Sequence, residues 1–368
     1  MRIRKRADKI FLSLVIALVF FGTLIFISAW FGLLAHGTAD GDSRYTGVLF
    51  THAVSVVLGF IVMVGASNVP FVFWKQNSLY IFIVSLILTA LVFVPFIGFE
   101  YNGAQRWLHI PGLPSFQPSE FLKIGFILFF AAFLSSLKGK VNSFKEGLVP
   151  TLAMIGAVSI LLIKQPDTGT LMVIVASALG IFLAAGGHWK YFLTFILAGV
   201  LGVAFLAFTR PYVMDRITVF MDPSKDPLNS GWQITQSLIA VGSGGITGRG
   251  FGQSIQKFNY LPEAINDAIF PVASEEFGFF GSVGIVMLFL ALAFRGFKIA
   301  ARAPNQFSGL VVVGIVIMIT AQAFINISAM LGLIPLTGVP LPFISHGGTA
   351  LVFLMLAVGI VLNVSKQT

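Results

Sequence analysis
Ten mostly apolar stretches recur along the chain, at about 10–34, 46–66, 79–98, 117–137, 148–163, 169–186, 189–208, 271–294, 307–332 and 349–364. A helix needs ~20 such residues to cross the hydrocarbon of a bilayer, and in lipid the backbone must satisfy its own hydrogen bonds. The pattern predicts an all-α polytopic membrane protein of about ten transmembrane helices, with residues 1–368 read as a single integral membrane domain. With 57% of residues hydrophobic and 10% charged, the chain carries more apolar surface than a soluble core can hide. The first stretch follows MRIRKRADK. It is too long for a signal peptide and lacks a small-residue cleavage site, so it reads as an uncleaved anchor. There is no cysteine, which excludes disulfides, Cys-ligated zinc and thiol catalysis.

The formal net charge of +9 would suggest nucleic acid in a soluble protein. Here the basic residues sort by loop. With the N-terminus in the cytoplasm, one side carries the run Arg2 to Lys9, then Lys75, Lys138, Lys140, Lys145, Lys190, Arg295, Lys298, Arg302 and Lys366. The short loops opposite carry Arg44, Arg106 and Lys164. This is the positive-inside pattern; it predicts both termini cytoplasmic and sets the nucleic-acid reading aside.

The one long loop, about 209–270 between helices 7 and 8, then lies outside the cell. Long loops without a task are uncommon in compact folds. Its SGWQITQSLIAVGSGG segment has helical apolar spacing with Gln233 and Gln236 on a polar face, which predicts a helix lying at the interface. The following GSGGITGRGFGQS fits neither nucleotide-loop pattern, so it reads as a tight backbone able to approach a ligand closely.

Charges at membrane depth mark ligand paths or lock helices together. In SFQPSEFLKI, Glu120 and Lys123 are helical neighbours and are expected to pair. Arg106 sits just before that span on the same side. Asp167, in QPDTGT, is placed to cap the sixth helix. The last outer loop, LIPLTGVPLPFISHGGTALV, is stiffened by Pro335, Pro340 and Pro342, and at membrane depth such backbone must be buried or line a cavity. It carries Ser345 and His346; a lone His is either a base or a hydrogen-bonded structural residue.

Four carboxylates crowd YLPEAINDAIFPVASEEFGFFG: Glu263, Asp267, Glu275 and Glu276. If LPEAINDAIF is helical, Glu263 and Asp267 share a face. Asp267 is the last charge before the apolar run; partial desolvation would raise its pKa and suit it to general-base work, while a capping or ion-paired role is the structural alternative. Glu275 and Glu276 are adjacent and point in different directions, so they are not expected to serve one site.

Taken in order, NGAQRWL…FQPSEFLKI, QPDTGT, DPSKDPLNSGWQITQSLIAVGSGGITGRGFGQSIQKFNYLPEAINDAIFPVASEEFGFFG and PLPFISHGG resemble the SEDS family of shape, elongation, division and sporulation proteins, the FtsW and RodA proteins of bacterial cell-wall synthesis. The wording of the long loop is closer to the FtsW branch. The resemblance implies a peptidoglycan glycosyltransferase that polymerises lipid II at the outer face of the bacterial cytoplasmic membrane, with Asp267 as its essential acidic residue. It implies a class B penicillin-binding protein as partner, with further divisome or elongasome proteins and membrane lipid around it. The chain departs from the family at Ile265, Asn266 and Ala268 around the aspartate, and in the last motif, which reads Ser345-His346-Gly347-Gly348-Thr349.

A pyrophosphate leaving group needs cations; Arg106, Lys123, Arg249 and Lys257 are the candidates, with Glu120, Glu263 and Ser345 as further substrate contacts. No metal motif is visible. A divalent cation, Mg²⁺ or Mn²⁺, would take Asp267 and Glu263 as ligands. Two other function classes remain open to sequence: a flippase for a lipid-linked precursor, and a non-catalytic scaffold for a transpeptidase. Transporters commonly carry two related halves; spans one to five and six to ten do not match in motif or loop length.

Overall fold
In the computed structural model, which describes residues 6–34, 42–101, 104–108, 116–258 and 260–367, the expected spans are helices. They are α1 (Lys9–Leu34), α2 (Asp42–Asn68), the short α3 (Phe71–Gln76), α4 (Ser78–Leu91), α5 (Pro118–Ser136), α6 (Val149–Lys164), α7 (Thr168–Ala184) and α8 (Trp189–Thr209). After them come α9 (Pro211–Met221), α10 (Ser230–Ser243), α11 (Ile269–Ala301), α12 (Gln306–Met330) and α13 (Gly348–Ser365). Among the described residues eight candidate spans are long and apolar enough to cross a membrane, and the expected third and sixth spans are the shorter apolar helices α4 and α7.

The third span stops at Leu91, short of the expected 98. Pro95 pushes the residue before it away from helical backbone, and the chain turns into a small antiparallel hairpin, β1 (Gly98–Tyr101) and β2 (Ala104–Leu108). This hairpin is the one departure from an all-helical architecture among the described residues, and it carries Arg106.

Lipid tails are as apolar as leucine, so helices in a membrane associate through close packing rather than through escape from water. Small residues provide it. A side chain at Gly359 of α13 would meet the Met63 carbonyl of α2 at 2.4 Å, and one at Gly125 of α5 would meet Ser85 Oγ of α4 at 2.6 Å. One cluster of buried apolar residues runs from Phe11 in α1 to Val364 in α13. The two ends of the chain meet on one face. Asp8 pairs with Arg295 of α11 at 2.5 Å, and its amide donates to Ser365 Oγ of α13 at 3.0 Å.

The long connection between α8 and α11 is structured. α10 forms over the residues whose spacing predicted a helix. The segment after it, residues 244–258, docks on α11, which is broken at Gly278 (φ 64°, ψ −160°). That backbone is open essentially to glycine alone. The break lets Phe279 N donate to Gly245 O at 2.9 Å and Phe280 N to Ile246 O at 3.3 Å, so the loop pairs with the opened helix.

Candidate active site
Asp267 lies in a series of turns just ahead of α11; LPEAIND is not a helix. Glu263, with φ 53°, starts a turn in which its carbonyl accepts from Asn266 N at 2.9 Å and Ala268 N at 3.2 Å. The turn is fixed from two sides. His346 N, in the last loop, donates to Ile265 O at 2.8 Å. Asn326 Nδ2, from the membrane-embedded α12, donates to Asp267 O at 2.7 Å and to Val339 O at 2.8 Å.

The Asp267 carboxylate is partly buried and accepts from Gln233 Nε2 of α10 at 3.3 Å. Its pKa is pushed up to about 7, first by burial and then by the like charge of Glu263, with the Gln233 hydrogen bond pulling the other way. A carboxyl group titrating near neutrality suits proton transfer, because catalysis is most efficient when the pKa lies near the working pH.

Two guanidiniums gather at the turn between α6 and α7. Arg106, brought in by the hairpin, donates from Nε to Gln165 O at 3.3 Å and from Nη2 to Pro166 O. Arg216 of α9 donates to Thr168 Oγ1 at 3.4 Å and lies over the Tyr212 ring at 5.9 Å. Desolvation and the charge of Arg106 lower the Arg216 pKa, while Asp167 and Asp267 raise it, so Arg216 lies within electrostatic reach of Asp267. Asp167 caps α7 as expected, accepting from Thr170 N at 3.3 Å, and its other oxygen accepts from Ser119 Oγ at 3.2 Å.

A cleft beside these groups is lined by Glu120, Lys123, Gln322, Pro340, Ser345 and Leu354. The expected Glu120–Lys123 pair forms at 2.9 Å, buried at both ends, and Lys123 also donates to Gln322 Oε1 at 2.6 Å. Gln322 in turn donates to Pro340 O at 3.0 Å. Ser345 Oγ accepts from Leu341 N at 2.8 Å and so holds the proline-rich turn. The His346 ring stacks near Phe26, 5.4 Å between centroids, which gives it a packing role.

Arg249 and Lys257 belong to a second cluster. Lys257 is 2% exposed; its ammonium contacts Glu276 at 2.8 Å, Ser28 Oγ at 2.8 Å and Gly252 O at 2.8 Å. Arg249 contacts Glu275 at 3.4 Å. Adjacent Glu275 and Glu276 both grip residues 254–257, against the expectation that they would serve separate sites. Glu275 accepts from Ser254 Oγ at 2.6 Å, Ile255 N at 3.1 Å and Gln256 N at 3.2 Å, and Glu276 holds Lys257. The loop folds over the helix end and meets both side chains. Lys257 is therefore a brace in this conformation, with no ammonium open to a substrate.

Reading by residue type missed Arg216, Gln322 and Asn326. The signal for the last two was present: two amides four apart in the otherwise apolar α12 share one face, and polar groups inside a span are costly unless they are used.

The family model for cell cycle proteins of the FtsW, RodA and SpoVE type matches residues 8–368. Stage V sporulation protein E of Bacillus subtilis (strain 168) is 42% identical over 311 residues, 84% of this chain and 85% of its own length. The probable peptidoglycan glycosyltransferase FtsW of Geobacter sp. (strain M18) is 37% identical over 360 residues, 98% of this chain and 97% of its own. Among solved structures, a chain from work on the structural coordination of polymerization and crosslinking by a peptidoglycan synthase complex superposes with a TM-score of 0.79 at 26% identity, covering 98% of both chains. The rod shape determining protein RodA of Thermus thermophilus superposes with a TM-score of 0.71 at 25% identity, covering 98% of this chain and 97% of its own.

Proposed function
The chain belongs to the FtsW/RodA/SpoVE family of cell cycle proteins and is a multi-pass membrane peptidoglycan glycosyltransferase, and we propose that Asp267 is the general base with which it extends the glycan. The observation that carries this reading is a carboxyl group held by its main chain between α12 and the last loop and titrating at about 7.

The basic loops support a topology with both termini in the cytoplasm and the Asp267 face outside the bacterial inner membrane. No ATP is available there, so the donor must arrive activated. A lipid-linked disaccharide diphosphate, lipid II, meets that need. The Asp267 carboxylate takes the proton from an acceptor sugar hydroxyl. The freed oxygen forms a bond to the anomeric carbon of the donor as the carbon–oxygen bond to diphosphate breaks. Polyprenyl diphosphate leaves with that electron pair from the opposite face, so one displacement inverts the anomeric configuration.

Among the described residues no three His, Cys, Asp or Glu come together as metal ligands. Mg²⁺ commonly takes one or two carboxylates and completes its shell with water and substrate phosphate, and Asp267 with Glu263 fits that pattern only alongside the substrate. When bound, such an ion would supply positive charge against the departing phosphates.

The matching chain from a peptidoglycan synthase complex supports pairing with a class B penicillin-binding protein that crosslinks the strands as they emerge. The test is to supply the purified protein and its transpeptidase partner with lipid II and to follow glycan chains. Wild-type protein polymerises and Asp267→Asn does not. Polymerisation at wild-type rate by Asp267→Asn removes the base assignment; translocation without polymer means a flippase, and neither activity a scaffold.

A further inference from the structure
We infer that His52 of α2 and His346 of the last loop, with the Thr349 hydroxyl beside them, form a binding site for a transition-metal ion, Zn²⁺ foremost.

His52 is an imidazole with nothing to bond. It sits inside α2 and is 2% exposed. Both of its ring nitrogens are buried, and among the described residues neither has a hydrogen-bond partner. The buried Nδ1 of His346 and the buried Oγ1 of Thr349 are unpaired as well. Buried polar groups in folded chains nearly always have partners, so several orphans in one place point to something that binds there.

The fold gathers these atoms from three elements. The first turn of α13 faces α2: a side chain at Gly348 would lie 3.9 Å from Thr51 Cγ2 and 4.0 Å from Ser55 Oγ, on either side of His52 in the chain. The His52 and His346 rings lie 6.0 Å apart, centroid to centroid, with 33° between their planes. An ion bonded to one nitrogen of each ring at about 2.0–2.1 Å stands roughly 3.2 Å from each centroid, so the two rings can share it. Phe26 of α1 packs flat on His52, 3.9 Å between centroids at 18°, and lies 5.4 Å from His346. It covers ring faces and leaves the nitrogens, which sit on the ring edge, to a ligand.

The donor atoms select the ion. Neutral imidazole is the commonest side-chain metal ligand, and it suits Zn²⁺, Cu²⁺ and Ni²⁺ better than Mg²⁺ or Ca²⁺, which take oxygen. Among the described residues no third imidazole or carboxylate joins the pair. The Thr349 hydroxyl and water would complete the four positions that Zn²⁺ prefers. Negative charge lies close by in the chain: His346 N donates to Ile265 O at 2.8 Å, and Ile265 stands between Glu263 and Asp267. An ion shared by the two histidines would therefore clamp α2 to the loop that steadies the Asp267 turn.

The experiment titrates the untagged full chain, stripped by chelator and held in detergent, with Zn²⁺ against a chelating dye. One equivalent binds at micromolar concentration or below, and Mg²⁺ does not compete. His52→Phe and His346→Phe, which keep the ring packing, each weaken binding by about 100-fold or more, since even losing a partner behind a ligand costs about 10- to 100-fold. Thr349→Val weakens it by about 5-fold. Zn²⁺ raises the unfolding temperature of the wild-type chain and not that of His52→Phe. Wild-type protein that takes up no Zn²⁺ in that range overturns the inference, as does unchanged affinity in folded His52→Gln or His346→Phe. Asp267→Asn and Glu263→Gln keep the Zn²⁺ site. Loss of binding in those two, with the histidine variants unaffected, would place the ion on the acidic turn and overturn the inference too. Binding is read without glycan synthesis, so the outcome is independent of the base assignment.

Discussion

Asn326 Nδ2 lies 2.7 Å from the Asp267 carbonyl, so a side chain from within the membrane fixes the main chain of the proposed base. The same nitrogen donates to Val339 O at 2.8 Å. Asn326→Ala leaves two largely buried carbonyls unpaired, at about 1–3 kcal/mol each. We expect a lower unfolding temperature in detergent and a fall in kcat larger than any rise in KM for lipid II, because the base is misplaced while other substrate contacts remain. A stable Asn326→Ala protein with wild-type kcat would show that this tie does not position Asp267.

Polymerisation should rise with pH and level off above about 7, since the base must be ionised and its pKa is about 7. Stability runs the other way. Below the unfolded-state value of about 3.9 the carboxyl is protonated in both states. Between there and about 7 the folded state holds the extra proton, so stability falls as pH rises and reaches its floor above that value. Asp267→Asn should lose about 10²- to 10⁴-fold in rate and should flatten the stability profile across that window. A rate profile without an acid limb would contradict the assignment.

Glu263 raises the Asp267 pKa by charge, second to burial. Glu263→Gln should therefore move the acid limb of the rate profile to lower pH and leave it above the value of a free aspartate. The pH–rate profiles of the two proteins, recorded at saturating lipid II, measure the shift directly. An unmoved limb would mean that Glu263 acts through Asn266, whose Nδ2 donates to it at 2.5 Å, and not through its charge.

Much of this is legible in the residues alone. The apolar runs gave the spans because only helices and closed barrels satisfy backbone groups in lipid, and Asp167 gave the start of α7 because a cap is a local feature. Asp267 stood out through the resemblance of its motif, and burial then explained its chemistry. What escaped was set by long-range folding. Arg216 meets Arg106 across a separation that spacing does not encode. Glu275 and Glu276 point apart on a regular helix, yet both meet residues 254–257 because that loop wraps over the helix end beside the break at Gly278. Lys257 looked like a cation for substrate because its partner, Glu276, lies nineteen residues away beyond a turn that the sequence does not fix.

The Lys257–Glu276 pair is sealed, so breaking it from one side should be worse than removing it. Lys257→Met strands the Glu276 carboxylate, and a one-sided loss of a buried pair costs about 3–5 kcal/mol. The double variant Lys257→Met, Glu276→Gln should recover part of that loss. Unfolding temperatures of the two single variants and the double variant, in one detergent, give the coupling. Additive losses would mean that the two side chains act independently.

Gly278 is where the outer loop and α11 are joined, and it admits no side chain. Its backbone (φ 64°, ψ −160°) falls in a region essentially reserved for glycine. A Cβ there would also come within 2.3 Å of Gly248 N. Gly278→Ala therefore carries a backbone strain of about 1–3 kcal/mol before any clash is counted. Relief comes most readily by releasing the loop, since its hold on the helix consists of the Phe279 and Phe280 amides and the two glutamates. We expect residues 244–258 to detach while the membrane helices stay folded. Limited trypsin digestion reports this as faster cleavage after Arg249 and new cleavage after Lys257, which is shielded in the docked loop. Wild-type cleavage rates at both positions, in a variant of unchanged unfolding temperature, would show that α11 absorbs the substitution and that the break is not what holds the loop.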